Sequence, residues 1–241
     1  QKRVALTAEN ATGHGYLSIP ADGNPRDNAV FFAYGPARPI KSLVVGDPGE
    51  ATDYLMLAAA PPGFGGQTAT VSSPSQVAGT PTGDLSAIFW AAPFPAKPAS
   101  EWLERFISSG GHVLFLPPGT DLKNPFLDLK WSSPAEVEKG KFFILQDWNH
   151  TDGPLRDGLD GTPIPAERMK AIRRQIPLGD AAPLARWEDG EPFLSRRIID
   201  RGTAWFIGTT PDYTWSNLGD ADVLLPVVQR IVTAGSDRFD A

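Results

Sequence analysis

The spacing of apolar residues changes character along this chain, and the change divides it. Up to residue 38 the apolar positions come in short runs separated by turn formers. "RVALTA" alternates, "HGYLSIP" follows a glycine-containing turn, "ADGNPRDN" is dense in turn residues, and "AVFFAYG" is a third run. This pattern predicts short strands. Three of them cannot bury a core alone. We therefore expect residues 1–38 to be the C-terminal strands of a truncated β-sandwich-like domain.

From residue 39 the period changes. "IKSLVVGD" is a nearly continuous apolar run, the signature of a strand covered on both faces. "EATDYLMLAAA" has helical spacing and stops at Pro61-Pro62-Gly63. "QTATVSS" and "LSAIFWAAP" read as strands. "ASEWLERFISSGG" is the best helix, with Ser100 as its cap, an apolar stripe of Trp102, Leu103, Phe106 and Ile107, and Gly110-Gly111 as its stop. "HVLFLPPG" then returns as a strand, which completes a strand–helix–strand crossover.

Residues 118–140 read as a long loop and "KFFILQDW" as a strand. "PAERMKAIRRQ" has amphipathic helical spacing with Pro165 near its first turn. Three further β runs follow, joined at Asp189-Gly190 and at Asp200-Arg201-Gly202, and these predict an antiparallel edge. "DADVLLPVVQRIVTAG" is a closing helix with an acidic start. Residues 39–241 are thus expected to be one α/β domain: an open, mostly parallel sheet, helices on both faces, an antiparallel edge, and a short β segment before it.

Composition narrows the chemistry. The chain has 241 residues, a net charge of −6 and no cysteine. The acidic balance argues against a nucleic-acid surface or a polybasic membrane patch. Arg173-Arg174 and Arg196-Arg197 are short basic pairs, read as solvated charge. The lack of cysteine removes disulfides, thiolate catalysis and Cys-ligated metals. No stretch approaches the length of a membrane span. Gln1 is not a natural initiator, so the sequence is expected to be a piece of a longer protein.

Few motifs carry chemistry. "GFGG" at 63–66 follows a helix, whereas a phosphate cradle needs strand, glycine loop, then helix, so it reads as a connector. "DWNHTD" at 147–152 follows a strand, where α/β sites usually lie. Asp147, His150 and Asp152 could bind a cation or move protons, but three residues in one loop are not a ligand set. The plainer reading is a turn capped by Asp147 or Asn149. His14 and His112 read as local hydrogen-bonding groups. Trp90, Trp102, Trp148, Trp187, Trp205 and Trp215 read as packing residues. No Gly-x-Ser-x-Gly or His-Glu-x-x-His occurs, and no cofactor or metal is expected.

Four stretches in order, "DGNPRDNAVFFAYGPARPIKSLVVGD", "LSAIFWAAP", "EWLERFISSGGHVLFLPPG" and "RGTAWFIGTTPDYTWSNL…VLLPVVQRIV", give the chain a resemblance. It resembles a class I glutamine amidotransferase-like (flavodoxin-like) domain, as in the extracytoplasmic C-terminal part of bacterial BatA-type (aerotolerance regulator N-terminal) membrane proteins. That likeness implies a periplasmic part of a membrane-anchored protein. It also implies an unknown protein partner, other domains of the same membrane protein among the candidates.

The likeness further implies a Gly-x-Cys-x-Gly elbow after the strand "HVLF", where this chain has "LPPGT", and a His-x-Glu pair near "FIGTTPDYTW", where it has Thr210, Pro211 and Asp212. Glutaminase chemistry then lacks its nucleophile and its base. The expected role is non-catalytic: interaction or architecture. The alternative is a hydrolase or a small-ligand or carbohydrate binder. It would use loops at the carboxyl ends of the strands, with Asp147, His150, Asp152, Asp212 and Trp215 as its candidate residues. Convergence of His150, Asp147, Asp212 and Trp215 in one pocket discriminates between the two.

Overall fold

The computed structural model describes residues 12–20, 28–35, 39–63, 65–121, 124–158, 160–220 and 222–239. The run "RVALTA" and residues 21–27 of the turn-rich segment lie outside them. The chain falls into two compact units, Gln1–Pro39 and Ile40–Ala241.

In the first unit, β1 (Gly13–Ser18) and β2 (Ala29–Tyr34) form an antiparallel two-stranded sheet, with Gly13 opposite Tyr34 and Ser18 opposite Ala29. Tyr16 faces Phe31 across the strands at 6.0 Å between rings. Both residues stay exposed, as do Leu17 and Val30. Among the described residues of this unit no second layer covers either face of the ribbon.

The second unit opens with β3 (Ile40–Gly46), α1 (Glu50–Ala59), β4 (Gln67–Ser72), β5 (Leu85–Ala91), α2 (Ala99–Ser108) and β6 (His112–Phe115). Short strands follow: β7 (Lys130–Trp131) and β8 (Ala135–Glu136). Then come β9 (Phe143–Trp148), β10 (Lys170–Ala171), β11 (Arg173–Arg174) and β12 (Pro177–Leu178). The unit closes with β13 (Ala182–Trp187), β14 (Pro192–Ile199), β15 (Gly202–Ile207) and α3 (Leu224–Ser236). Nine strands form one sheet in the order β10-β9-β13-β14-β15-β6-β5-β3-β4. Strands β4, β3, β5, β6 and β15 are parallel neighbours. From β15 outward each pairing is antiparallel.

The continuous apolar runs follow from burial on both faces. In β3, Val44 packs on one side with Leu55 of α1 and Val228 of α3, while Leu43 and Val45 pack on the other with Trp102 and Phe106 of α2. Phe89 of β5 and Leu114 of β6 join the first layer. Ile88, Trp90, Val113 and Phe115 join the second. α3 comes so close to the sheet that a Cβ on Gly235 would lie 1.8 Å from the Ser86 carbonyl oxygen.

Four expectations need correction. Ser100 does not cap α2: the helix starts at Ala99 with Pro98 at the cap position and no side-chain cap. The first turn of α3 holds no acidic residue. Asp220 instead accepts the Tyr213 hydroxyl, and Asp222 faces Arg168 at 3.7 Å.

Residues 165–175 are not a helix. A single turn at Ala166–Arg168 gives way to extended chain, in which Met169 and Ala171 are buried while Lys170 and Ile172 are exposed. β10 pairs with β9, β11 with β8 and β12 with β7. These distant pairings override the local helical spacing, and they also give the 118–140 segment its two short strands.

The fourth correction concerns the arginine pairs. Arg174 is 5% exposed, bonded to Asp189 and stacked 3.8 Å over Phe143. The Arg196 and Arg197 side chains are each 24% exposed and ion-paired with Asp152 and Asp128. These are built-in contacts rather than solvated charge.

Candidate functional site

Strand direction decides where the five sequence candidates fall. β9 is antiparallel to β13, β13 to β14, and β14 to β15. β9 therefore runs against the parallel strands, and the loop after it lies at their amino end. Asp147, His150 and Asp152 are at that end. Asp212 and Trp215, which follow β15, are at the carboxyl end. The six residues of β15 separate the two groups, roughly 20 Å at about 3.3 Å per residue. The stretches "DWNHTD" and "TTPDYTWSN" therefore do not wall one pocket.

At the amino end Asn149, His150 and Asp152 have local partners. Asn149 is the capping residue: its side-chain oxygen accepts from the Thr151 and Asp152 amides at 2.9 and 2.8 Å. His150 Nδ1 lies 3.0 Å from Asp157 Oδ1, with its ring 5.0 Å from that of Trp148. Asp152 Oδ2 pairs with Arg196 Nη1 at 2.8 Å. Asp147 sits opposite Arg186 in the sheet, beside a hollow of about 310 Å³ lined by Trp148, Asn149 and Leu184. Among the described residues no three His, Asp or Glu side chains are grouped to hold a metal ion.

The carboxyl end of β6 carries the turn that the sequence reading expects as an elbow. Leu116 leaves β6 with its amide donating to the Trp90 carbonyl at 2.9 Å. Pro117 and Pro118 follow, and Gly119 turns the chain with φ at +77°, a region that favours glycine. The turn is held by side chains from the segment read as a helix. Gln175 is fully buried. Its Oε1 accepts the Gly119 amide at 2.8 Å, and its Nε2 donates to the carbonyls of Thr120 at 3.1 Å and Ser132 at 2.7 Å. Arg173 Nη2 donates to the Gly119 carbonyl at 2.9 Å, and its guanidinium lies 4.5 Å over the Trp215 ring. Trp215 is itself 6% exposed, and a Cβ on Gly119 would meet it at 3.3 Å.

The loop after β15 completes the joint. Asp212 Oδ1 accepts from the Thr214 amide at 2.7 Å and its hydroxyl at 2.6 Å, and the Asp212 carbonyl accepts the Trp215 amide at 2.8 Å. Asp212 thus caps the turn that seats Trp215. Thr209 Oγ1 donates to the Arg173 carbonyl at 3.0 Å, and Ser216 Oγ donates to the Thr210 carbonyl at 2.7 Å.

At this turn stand two prolines, a glycine whose amide and carbonyl are both bonded, and the buried Trp215. The histidines of this unit, His112 and His150, are at the other end of the sheet. The arrangement holds the turn shut by side-chain hydrogen bonds and ring packing. Asp212 and Trp215 were legible as members of this loop. Arg173 and Gln175 were missed because helical spacing placed them in a different element.

No family model and no curated protein matches this chain. Among solved structures it is similar to a β-galactosidase from Bacillus circulans sp. alkalophilus, with a TM-score of 0.55, 15% identity, and coverage of 83% of this chain and 31% of that one. A β-galactosidase from Rahnella sp. R3 gives 0.55, 13%, 80% and 31%. A cytoplasmic protein from Salmonella typhimurium LT2 gives 0.52, 11%, 91% and 96%. The chain spans about a third of the length of the galactosidases it matches. At these identities the likeness is one of fold.

Proposed function

We propose that this chain is a non-catalytic, amidotransferase-like scaffold that serves interaction or architecture. The observation that carries the reading is the closed elbow. Gln175, Arg173 and Trp215 occupy by packing and hydrogen bonds the place where such chemistry needs an exposed nucleophile. The order of the parallel strands, β4-β3-β5-β6-β15, supports the flavodoxin-like part of the reading, because in chain order it is 2-1-3-4-5.

The address we propose is extracytoplasmic, in a membrane-anchored bacterial protein whose other domains are the first candidate partners. The order of sequence stretches supports it. No helix among the described residues is long and apolar enough to cross a membrane.

Two experiments test the parts separately. Ammonia release from glutamine by the purified protein should match a buffer blank, and turnover that scales with protein would overturn the non-catalytic reading. An alkaline phosphatase fusion after residue 241 of the parent protein should be active. An inactive phosphatase, paired with an active cytoplasmic reporter at the same position, would refute the extracytoplasmic address and leave the first result standing.

A further inference from the structure

At the amino end of the parallel strands, between α3 and the starts of β6 and β15, lies a cavity of about 220 Å³. Its wall carries three guanidinium residues, Arg156, Arg196 and Arg230, against one carboxylate, Asp152. In a chain of net charge −6 this concentration runs against the background. Arg196 is engaged, holding Asp152 at 2.8 Å. Arg230 is oriented but not neutralised: its Nη1 donates to the carbonyls of Pro154, at 2.9 Å, and Arg156. Among the described residues the Arg156 side chain bonds only to the Gly153 carbonyl, at 3.5 Å. Among the described residues neither forms an ion pair. The carboxylate whose charge Arg230 feels, Asp157, is bonded to His150.

We infer that this cavity is a binding site for a phosphate group, carried as the monoester of a small apolar alcohol. Arg156 is exposed and Arg196 and Arg230 are part-buried, and like charges gathered on one cavity wall favour a counter-charge. A phosphate dianion supplies enough acceptor oxygens for several guanidiniums at once, through paired N–H donors. The substituent follows from the remaining wall, where Ile198 is exposed and Trp205 and Ile231 lie buried behind it, beside the polar His112 and Thr203. The cavity has room for roughly seven waters at about 30 Å³ each, which limits the ligand to a phosphate and a small ring or short chain. Burial and the neighbouring Arg156 both depress the Arg230 pKa, as expected for a cation waiting for an anion. Asp152 is the internal competitor, occupying Arg196 until a ligand displaces it.

The test titrates the purified chain with inorganic phosphate and with phenyl phosphate by calorimetry, in sodium chloride of matched ionic strength. Saturable binding is expected, tighter for phenyl phosphate. Arg156→Gln with Arg230→Gln should weaken it by about tenfold or more. Asp152→Asn should tighten it several-fold by freeing Arg196, and this variant keeps the test decisive if the double variant unfolds. Equal affinity for the two probes supports the phosphate site and assigns it to the free ion. Absence of saturable binding, affinity unchanged in the double variant, or no tightening in Asp152→Asn would each overturn the inference.

Discussion

Single side chains here do work that their types do not announce. Arg174 is the clearest. Its guanidinium lies between Phe143 at 3.8 Å and Trp187 at 5.8 Å and bonds to Asp189, whose carboxyl it holds below the usual range. Its aliphatic stem and planar head therefore act as core packing. Arg174→Ala should cost about 2–3 kcal/mol in urea unfolding. Asp189→Asn should cost less, because that carboxylate is half-exposed and easily rehydrated.

His112 gives the fold a pH dependence. Burial is the main cause that lowers its pKa from 6.5 to about 4, helped by Arg238 and opposed by Asp237. The Trp205 indole N–H donates to its Nδ1 at 3.3 Å, which suits a neutral ring. Between pH 6.5 and 4 the unfolded chain binds the proton and the folded one does not. Stability is thus full above 6.5 and falls as the pH drops toward 4, by up to about 3 kcal/mol. His112→Gln should flatten that slope in urea melts taken across the window. An unchanged slope would assign the pH dependence to other groups.

At the scale of elements, the crossover half and the edge half were unequally legible. β3, β5, β6 and α2 showed themselves through continuous apolar runs and one helical stripe, because burial on two faces leaves no other pattern. The direction of β9 was hidden. The 149–181 segment after it is held by pairings to residues 130–131, 135–136 and 143–144, and nothing in its own spacing reports them. That gap moved Asp147, His150 and Asp152 to the wrong end of the sheet and concealed Gln175.

The same scale carries a prediction about α3. Gly235 lets the helix touch the backbone of β5, so Gly235→Ala must push the two apart or bend the helix. We expect a loss of about 2–3 kcal/mol, measured by thermal melting, where an exposed helix site would gain from alanine. A neutral or stabilising effect would show that this contact is looser than described.

For the whole molecule, the β10-to-β4 sheet puts two different surfaces at its two ends. At the carboxyl end, where this architecture usually works, the elbow is packed shut. At the amino end lie the arginines, the neutral His112 and the polar turn of residues 149–152. The sequence places two prolines and a glycine at the turn that the resemblance makes an elbow. It did not show that the elbow is filled, because the filling residues come from more than fifty positions downstream.

The closed elbow is the claim on which the functional reading stands, and the Gly119 amide reports on it directly. Its proton is held by Gln175 Oε1 inside a buried joint. Native-state hydrogen exchange should therefore show Gly119 protected nearly to the global unfolding limit. Gln175→Leu, which strips that acceptor and leaves the carbonyls of Thr120 and Ser132 without their donor, should lower stability by about 2–4 kcal/mol and abolish the protection. Fast exchange at Gly119 in the wild-type protein, with the core strands still protected, would contradict a closed elbow and reopen that end of the sheet as a working site.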